Sequence, residues 1–184
     1  TSLNGTVIPA GSLLVTNGAP NPDRVVALDS TTGAVLATLT LSEAAGEDLD
    51  AVAGVYHAAS GHLFVLEPNA DAIGEFDPAT GARLGSTAAP VAISAGGLAV
   101  HPTTGNLWVG SNQSGAVAEL SVTAGTPSTL TVVRQLDLTQ LGIDGNEVNG
   151  LAFRDATTLL VSSTRGVVYV VPLNPPALGA PTLT

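Results

Sequence analysis

The sequence predicts an all-β fold, a β-propeller with four four-stranded blades, and three observations support it. The 184 residues include 21 Gly and 12 Pro, which interrupt the chain often and favour short strands over helices. One block of two apolar strands joined by a turn recurs four times. The first strand of the block is rich in small residues, which suits the crowded centre of a propeller. A β-sandwich, a solenoid or an arc of a larger propeller are the alternatives.

The recurring block defines the first two strands of each blade. Each copy opens on a glycine, passes through a turn and closes on a valine, and the opening glycines are 49, 43 and 53 residues apart. These spacings fit a four-stranded repeat. The four blocks span residues 5–15, 54–65, 97–109 and 150–161.

Further strands complete the predicted blades. Third strands are predicted at 24–28, 73–76, 116–120 and 167–171, and outer strands at 35–41, 83–87 and 130–138. In the first two repeats, similar turns join these strands, at 29–33 and 77–81, where Asp caps the turn and Gly adopts a positive φ. The predicted blades cover 3–41, 49–88, 95–138 and 147–172.

The fourth blade lacks a recognisable outer strand. The Pro-rich tail, 173–184, is predicted to be a linker or that strand, with 178–184 as the favoured segment. The alternatives are the N-terminal segment 1–8 and a strand donated by a neighbouring molecule, which would link copies into an oligomer or filament.

The charge of the chain restricts its partners. All five basic residues are arginines, and fifteen acids give a net charge of −10. Phosphate backbones and anionic lipids repel such a surface, so we expect no nucleic-acid partner, and without a long apolar run we expect no membrane insertion. The absence of cysteine excludes disulfides and thiol chemistry. The chain reads as a mature, secreted protein or excised domain whose signal peptide is already removed.

Two blocks, 76–84 (FDPATGARL) and 101–109 (HPTTGNLWV), resemble bacterial β-propeller repeats of the NHL, YVTN and SdiA-regulated-like kinds. The resemblance covers most of residues 3–172 at the level of the repeat. It implies the propeller fold. For function it implies a range: binding of proteins, glycans or ions, a scaffold role, or ester or lactone hydrolysis at a central metal.

Acidic loops precede two of the predicted inner strands, at 47–50 and 144–147. In a propeller such loops lie near the axis on one face, and converging carboxylates suit Ca²⁺. Asp48, Asp50, Asp144 and Glu147 are therefore the candidate calcium ligands. The alternative is that these acids only solvate the surface and cap turns.

Other chemistry-bearing residues are sparse. His57 and His101 occupy matching repeat positions, which indicates bonds to the local backbone. Trp108 lies in a predicted strand, which favours core packing. Asn4 and Asn112 match the N-glycosylation pattern. No nucleophile elbow or phosphate loop is present.

We therefore expect no enzyme, but an extracellular binding or assembly module of a secreted or surface bacterial protein, of adhesin or filament type. Its partner would be a protein, a glycan or a second copy. The alternative is a metal-centred propeller hydrolase resembling esterases and lactonases.

Overall fold

The computed structural model describes residues 1–18, 21–43, 48–144 and 146–173, which form sixteen strands and two short 3-10 turns. The strands are β1 (Ser2–Leu3), β2 (Thr6–Val7), β3 (Leu13–Asn17), β4 (Arg24–Leu28), β5 (Val35–Thr40), β6 (Ala53–His57), β7 (His62–Glu67), β8 (Ala72–Phe76), β9 (Arg83–Ala88), β10 (Gly96–Val100), β11 (Leu107–Ser111), β12 (Ala116–Thr123), β13 (Thr129–Asp137), β14 (Val148–Asp155), β15 (Thr158–Ser163) and β16 (Val168–Pro172). Within the described part, no helix has the length and apolar character needed to cross a bilayer.

The strands form four antiparallel meanders that follow one another along the chain. Blade 1 is β3-β4-β5, blade 2 is β6-β7-β8-β9, blade 3 is β10-β11-β12-β13 and blade 4 is β14-β15-β16. The all-β propeller prediction is confirmed. Blades 2 and 3 have the four strands expected, whereas blades 1 and 4 have three each among the described residues.

The N-terminal block departs from the prediction. Gly5 was expected to open the innermost strand of blade 1, but it has φ +74° and lies in the tight turn of the separate β1-β2 hairpin. That hairpin packs on the outside of the blades: the Asn4 side chain donates to the Thr38 carbonyl, and its backbone N–H donates to the Pro78 carbonyl. Among the described residues, blade 1 therefore has no counterpart of β6, and β3 is its innermost strand.

Three apolar layers join the blades in sequence. Leu39 and Leu63 meet between blades 1 and 2, Phe64 and Leu107 between blades 2 and 3, and Trp108 and Leu159 between blades 3 and 4. Because successive residues of a strand point to opposite faces, each inner blade contributes one face to each of two layers. Trp108 is fully buried, as predicted, with the Arg134 guanidinium over its ring.

The innermost strands approach one another closely where the repeat places glycine. A Cβ atom on Gly97 of β10 would lie 2.2 Å from the Leu151 nitrogen of β14, and one on Gly54 of β6 would lie 2.7 Å from the Thr16 methyl group of β3. The predicted inner position of the glycine-opened strands is thus confirmed for β6 and β10.

Hydrogen bonds link each inner blade to the next at the ends of the strands. His57 Nε2 lies 2.9 Å from the Gly105 carbonyl oxygen of blade 3, and His101 Nε2 lies 2.9 Å from the Ala156 carbonyl oxygen of blade 4. The Glu75 carboxylate accepts hydrogen bonds from Ser128, from its backbone N–H at 2.7 Å and its hydroxyl at 2.6 Å. These bonds join blade 2 to blade 3 and blade 3 to blade 4.

The predicted outer strand of blade 4, 178–184, lies outside the described residues, and the closure prediction stays a prediction.

Candidate ligand-binding groove

Two adjoining cavities of about 460 and 320 Å³ form one groove along the inner strands. Thr16 of blade 1, Val52 beside blade 2, Gly96 of blade 3 and Asn149 of blade 4 line both cavities. The groove is therefore the point at which all four blades converge. Its size falls in the range of small-molecule sites, which are roughly 300–1,000 Å³.

The wall of the larger cavity is polar at one end. Asn17, Asp50 and Asn149 line it together with backbone of the connection before β6. Asp50 is the one charged side chain among the described residues that line the two cavities. Amide groups beside a carboxylate offer both donors and acceptors, so this end of the groove can orient a polar ligand.

The connection that carries Asp50 is held by its neighbours. Asp50 has φ +50°, a conformation that Asp tolerates better than most residues, and its backbone N–H donates to Asp48 Oδ1 at 3.2 Å. The next backbone N–H, that of Ala51, donates to the buried Asp23 carboxylate at 2.6 Å. These bonds hold the connection in the conformation in which Asp50 lines the larger cavity.

Asp23 stands behind this wall with its side chain fully buried. Burial raises the pKa of the Asp23 carboxyl above its usual value; the Ala51 N–H opposes that shift, and the negative charges of Glu43, Asp48 and Asp50 add to it. The pKa is raised because the ionised form of Asp23 lacks water and faces like charges. The groove wall is thus a region of negative potential.

The four predicted calcium ligands do not share one environment. Asp48 and Asp50 are exposed in the connection before β6. Glu147 is buried before β14, where its carboxylate meets Arg165 Nε at 2.5 Å, Ser163 and the Tyr169 hydroxyl. Asp144 is exposed and lies 3.8 Å from Arg165. Across the described ranges, no group of three or more His, Asp or Glu side chains has an arrangement that could hold a metal ion. Calcium binding stays a prediction; the rest of both acidic loops, Glu47 and Gly145, lies outside the described residues.

The predicted glycosylation sites also stay predictions. Asn4 is exposed in the β1-β2 turn, and its side-chain amide donates to the Thr38 carbonyl at 3.1 Å. Asn112 is half-buried in the β11-β12 turn, where its side-chain oxygen accepts from the Ala95 N–H at 3.1 Å.

Sequence reasoning missed the asparagines of the groove. Asn17 and Asn149 each directly precede a glycine, Gly18 and Gly150, at the groove end of an inner strand. That shared Asn-Gly dipeptide was the available signal. The repeat alignment does not reveal it, because Asn17 lies in β3, which aligns with β7, whereas Asn149 lies in β14, which aligns with β6.

The histidine prediction was correct but incomplete. His57 Nδ1 accepts from the Ser60 N–H at 3.2 Å, and His101 Nδ1 accepts from the N–H groups of Thr103 and Thr104. Each ring therefore binds its own turn, as predicted. The bond from each Nε2 to the next blade was not predicted, because it joins residues about fifty positions apart.

Comparison with known proteins supports the fold. A search among curated proteins finds no match. Virginiamycin B lyase from Staphylococcus aureus is similar in structure, with 14% identity, a TM-score of 0.55, and coverage of 91% of this chain and 54% of that chain. Glutaminyl cyclase from Myxococcus xanthus has 17% identity and a TM-score of 0.56, over 92% of this chain and 72% of that one. The chain thus spans about half the length of the lyase.

These matches correct the prediction that the chain is no enzyme, since the two similar structures named above are enzymes. The prediction was drawn from missing sequence motifs such as the nucleophile elbow, and such motifs do not decide catalysis in this fold. At these identities the likeness carries the fold and no particular reaction.

The repeat itself has a known family. The family described as "Repeat of unknown function (DUF6923)" matches residues 1–149, which include β1 to β13 and the start of β14. This range is more than half of the chain and contains the first three blades entire. The chain therefore belongs to the DUF6923 repeat family, within a β-propeller fold.

Proposed function

We propose that the chain is a ligand-binding module of a secreted or cell-surface protein, and that its groove binds a positively charged group of a protein or glycan partner. The observation that carries this proposal is the convergence of Asp50, Asn17 and Asn149 on one cavity of about 460 Å³. A carboxylate flanked by amides matches an amine or guanidinium, because both have several N–H donors and a positive charge.

Charge supports the same ligand class. The net charge of −10 attracts cations to the whole surface, and the acids around Asp23 add negative potential at the groove. The secreted location rests on the sequence alone, chiefly on its acidity and its richness in Thr, Ser and Gly.

The test is an NMR titration of the full chain with matched charged and neutral probes. Glucosamine is compared with N-acetylglucosamine, and a lysine peptide with its Nε-acetylated form. We expect the charged member of at least one pair to shift the backbone amides of Ala51, Val52 and Asn149, and the neutral member to bind less. The pair that responds identifies a glycan or a protein partner.

Asp50→Asn tests the role of the carboxylate. Asn tolerates a positive φ, so the connection should keep its shape. Loss of one charge-assisted hydrogen bond costs about 1.5–3 kcal/mol, which corresponds to about tenfold or more in Kd. Asp144→Asn is the control, because it removes the same charge from an exposed site that does not line the groove. Equal binding of charged and neutral probes, or unchanged affinity in Asp50→Asn, would contradict the proposal.

A further inference from the structure

The two end blades each expose one apolar sheet face. Blade 1 exposes the face that points away from blade 2, where Leu13 is 53% and Val15 43% exposed. Blade 4 exposes the face that points away from blade 3, where Val168 is 58% and Val170 56% exposed. Within the described part of the chain, the four blades therefore form an arc with two open ends.

The exposed face of blade 1 corresponds to a face that is buried in blades 2, 3 and 4. Strand β3 aligns with β7, β11 and β15, and the position of Leu13 is leucine in all four blades. The position of Val15 is valine in all four. The counterparts in blades 2 to 4 have at most 1% exposure, and they are Leu63, Leu107, Leu159, Val65, Val109 and Val161. In each case they pack against the preceding blade.

The exposed face of blade 4 corresponds to the face by which each other blade packs against the blade that follows it. Val168 pairs with Ser162 across the sheet. Its counterparts in the register of blades 1 to 3 are Val25, Ile73 and Val117, which have at most 1% exposure. They belong to the layers that join each blade to the following one. A β-branched apolar residue thus occupies this position in every blade, although no following blade covers it in blade 4 among the described residues.

Blade 4 carries a hydrogen-bond donor, Arg154, at the repeat position from which His101 of blade 3 bonds to the next blade. Arg154 follows Phe153 in the position that His101 has after Val100. His101 binds the turn of the next blade, while Arg154 is exposed and bonds only locally among the described residues, to Asp155 and Thr158. Its guanidinium is therefore placed to meet the turn of a further blade.

We propose that two copies of this chain associate head to tail, with the end face of blade 4 of each copy packed on the end face of blade 1 of the other. The two faces are the two halves of one interface that the chain already builds three times between its own blades. Two four-bladed arcs give an eight-bladed ring, within the usual range of four to eight blades. The aligned region takes up 54% of the lyase chain, a propeller, so one copy corresponds to about half a ring. Two contacts related by a two-fold axis close this assembly.

The test measures the mass of the full chain by analytical ultracentrifugation over a dilution series. We expect a species of twice the 18.2 kDa chain mass. Val15→Glu and Val168→Glu each place a charge on one end face, and each alone should give monomers because both contacts of the ring contain that face. Both positions are exposed in the single chain, so the variants should fold, and circular dichroism checks this. Val133→Glu is the control, because Val133 is 53% exposed on the outer strand β13.

Mixing the two variants distinguishes head-to-tail contacts from other dimers. An equimolar mixture of Val15→Glu and Val168→Glu keeps one intact contact per pair and should recover part of the dimer. A wild-type monomer, a dimer that survives either variant, or mass that grows without limit at high concentration would each overturn the proposal. A monomer that dimerises only after removal of residues 174–184 would overturn it for the full chain and assign the face to the tail.

Discussion

The His57 ring bonds to its own turn and to the turn between β10 and β11, so its protonation state affects how the two turns are held. Its Nδ1 accepts from the Ser60 N–H, so the proton lies on Nε2, which donates to the Gly105 carbonyl. The bond to Nδ1 requires the neutral ring, whereas the Nε2 donor is present in both protonation states. Burial lowers the pKa of His57 from its ordinary value of 6.5; the Gly105 carbonyl and the Glu75 charge oppose this shift, and His62 adds to it.

The lowered pKa predicts a stability that depends on pH. Between the folded pKa and 6.5 the unfolded chain binds more protons at this residue, so the free energy of unfolding falls as pH decreases through that window and is fully recovered above 6.5. His57→Gln keeps a donor near the position of Nε2 and does not titrate. We expect thermal melts of the wild type to show a steeper loss of Tm below pH 6.5 than melts of the variant. Parallel slopes would contradict this role.

Gly97 shows how little room the inner strands leave. The obstacle to a Cβ atom there is the backbone of Gly150 and Leu151, which cannot rotate away. Gly97→Ala should therefore destabilise by about 1–3 kcal/mol, the range for overpacking, in chemical denaturation. Gly54→Ala is the matched comparison, since its nearest obstacle is the Thr16 methyl group, which has some freedom to move. An equal or smaller cost at Gly97 would show that β10 and β14 are farther apart.

At the scale of the element, a repeated turn joins strands within the blades. In the turn between β8 and β9, Asp77 accepts from the Ala79 N–H and the Thr80 hydroxyl, and Gly81 has φ +74°. Asp29 makes the same kind of turn between β4 and β5. These hydrogen bonds lower the pKa of both carboxyl groups. The sequence predicted these turns correctly because the interactions are local.

We expect Asp77→Ala to lower the free energy of unfolding by about 1 kcal/mol, a small value for bonds to a charged group because water reaches the turn. Asp77→Asn keeps the acceptor oxygen and should lose less. Urea denaturation at neutral pH measures both. Since the folded pKa is lowered, the contribution of the charge is complete above 3.8 and fades as pH falls through the folded pKa, so the two variants should approach the wild type in acid. Equal loss in both variants at neutral pH would contradict the capping role.

In the whole molecule, the described blades form one arc. Three apolar layers and the cross-blade bonds of His57, His101 and Glu75 make the blades one body, and the groove exists because four inner strands converge. The open ends are a property of the whole arc, since no single blade differs enough in sequence to reveal them. The polar cavity around Asp50 contains neither end-face valine, although Val15 also lines the smaller cavity, so Val168→Glu tests the pairing independently of ligand binding.

The sequence by itself determined the features that arise from local interactions and from the repeat. These are the number of blades, the turns at 29–33 and 77–81, and the inner glycines of blades 2 and 3. Strand alternation and turn chemistry act over a few residues, so the pattern contains them. The repeat pattern placed Gly5 in the innermost strand of blade 1, which was wrong, because glycine fits a tight turn as well as an inner strand. Only the tertiary structure decided that Asn17, Asp50 and Asn149 share one groove, that Glu147 is engaged by Arg165, and that Leu13 and Val168 are exposed. Those facts depend on contacts between blades, and no local pattern records which faces meet.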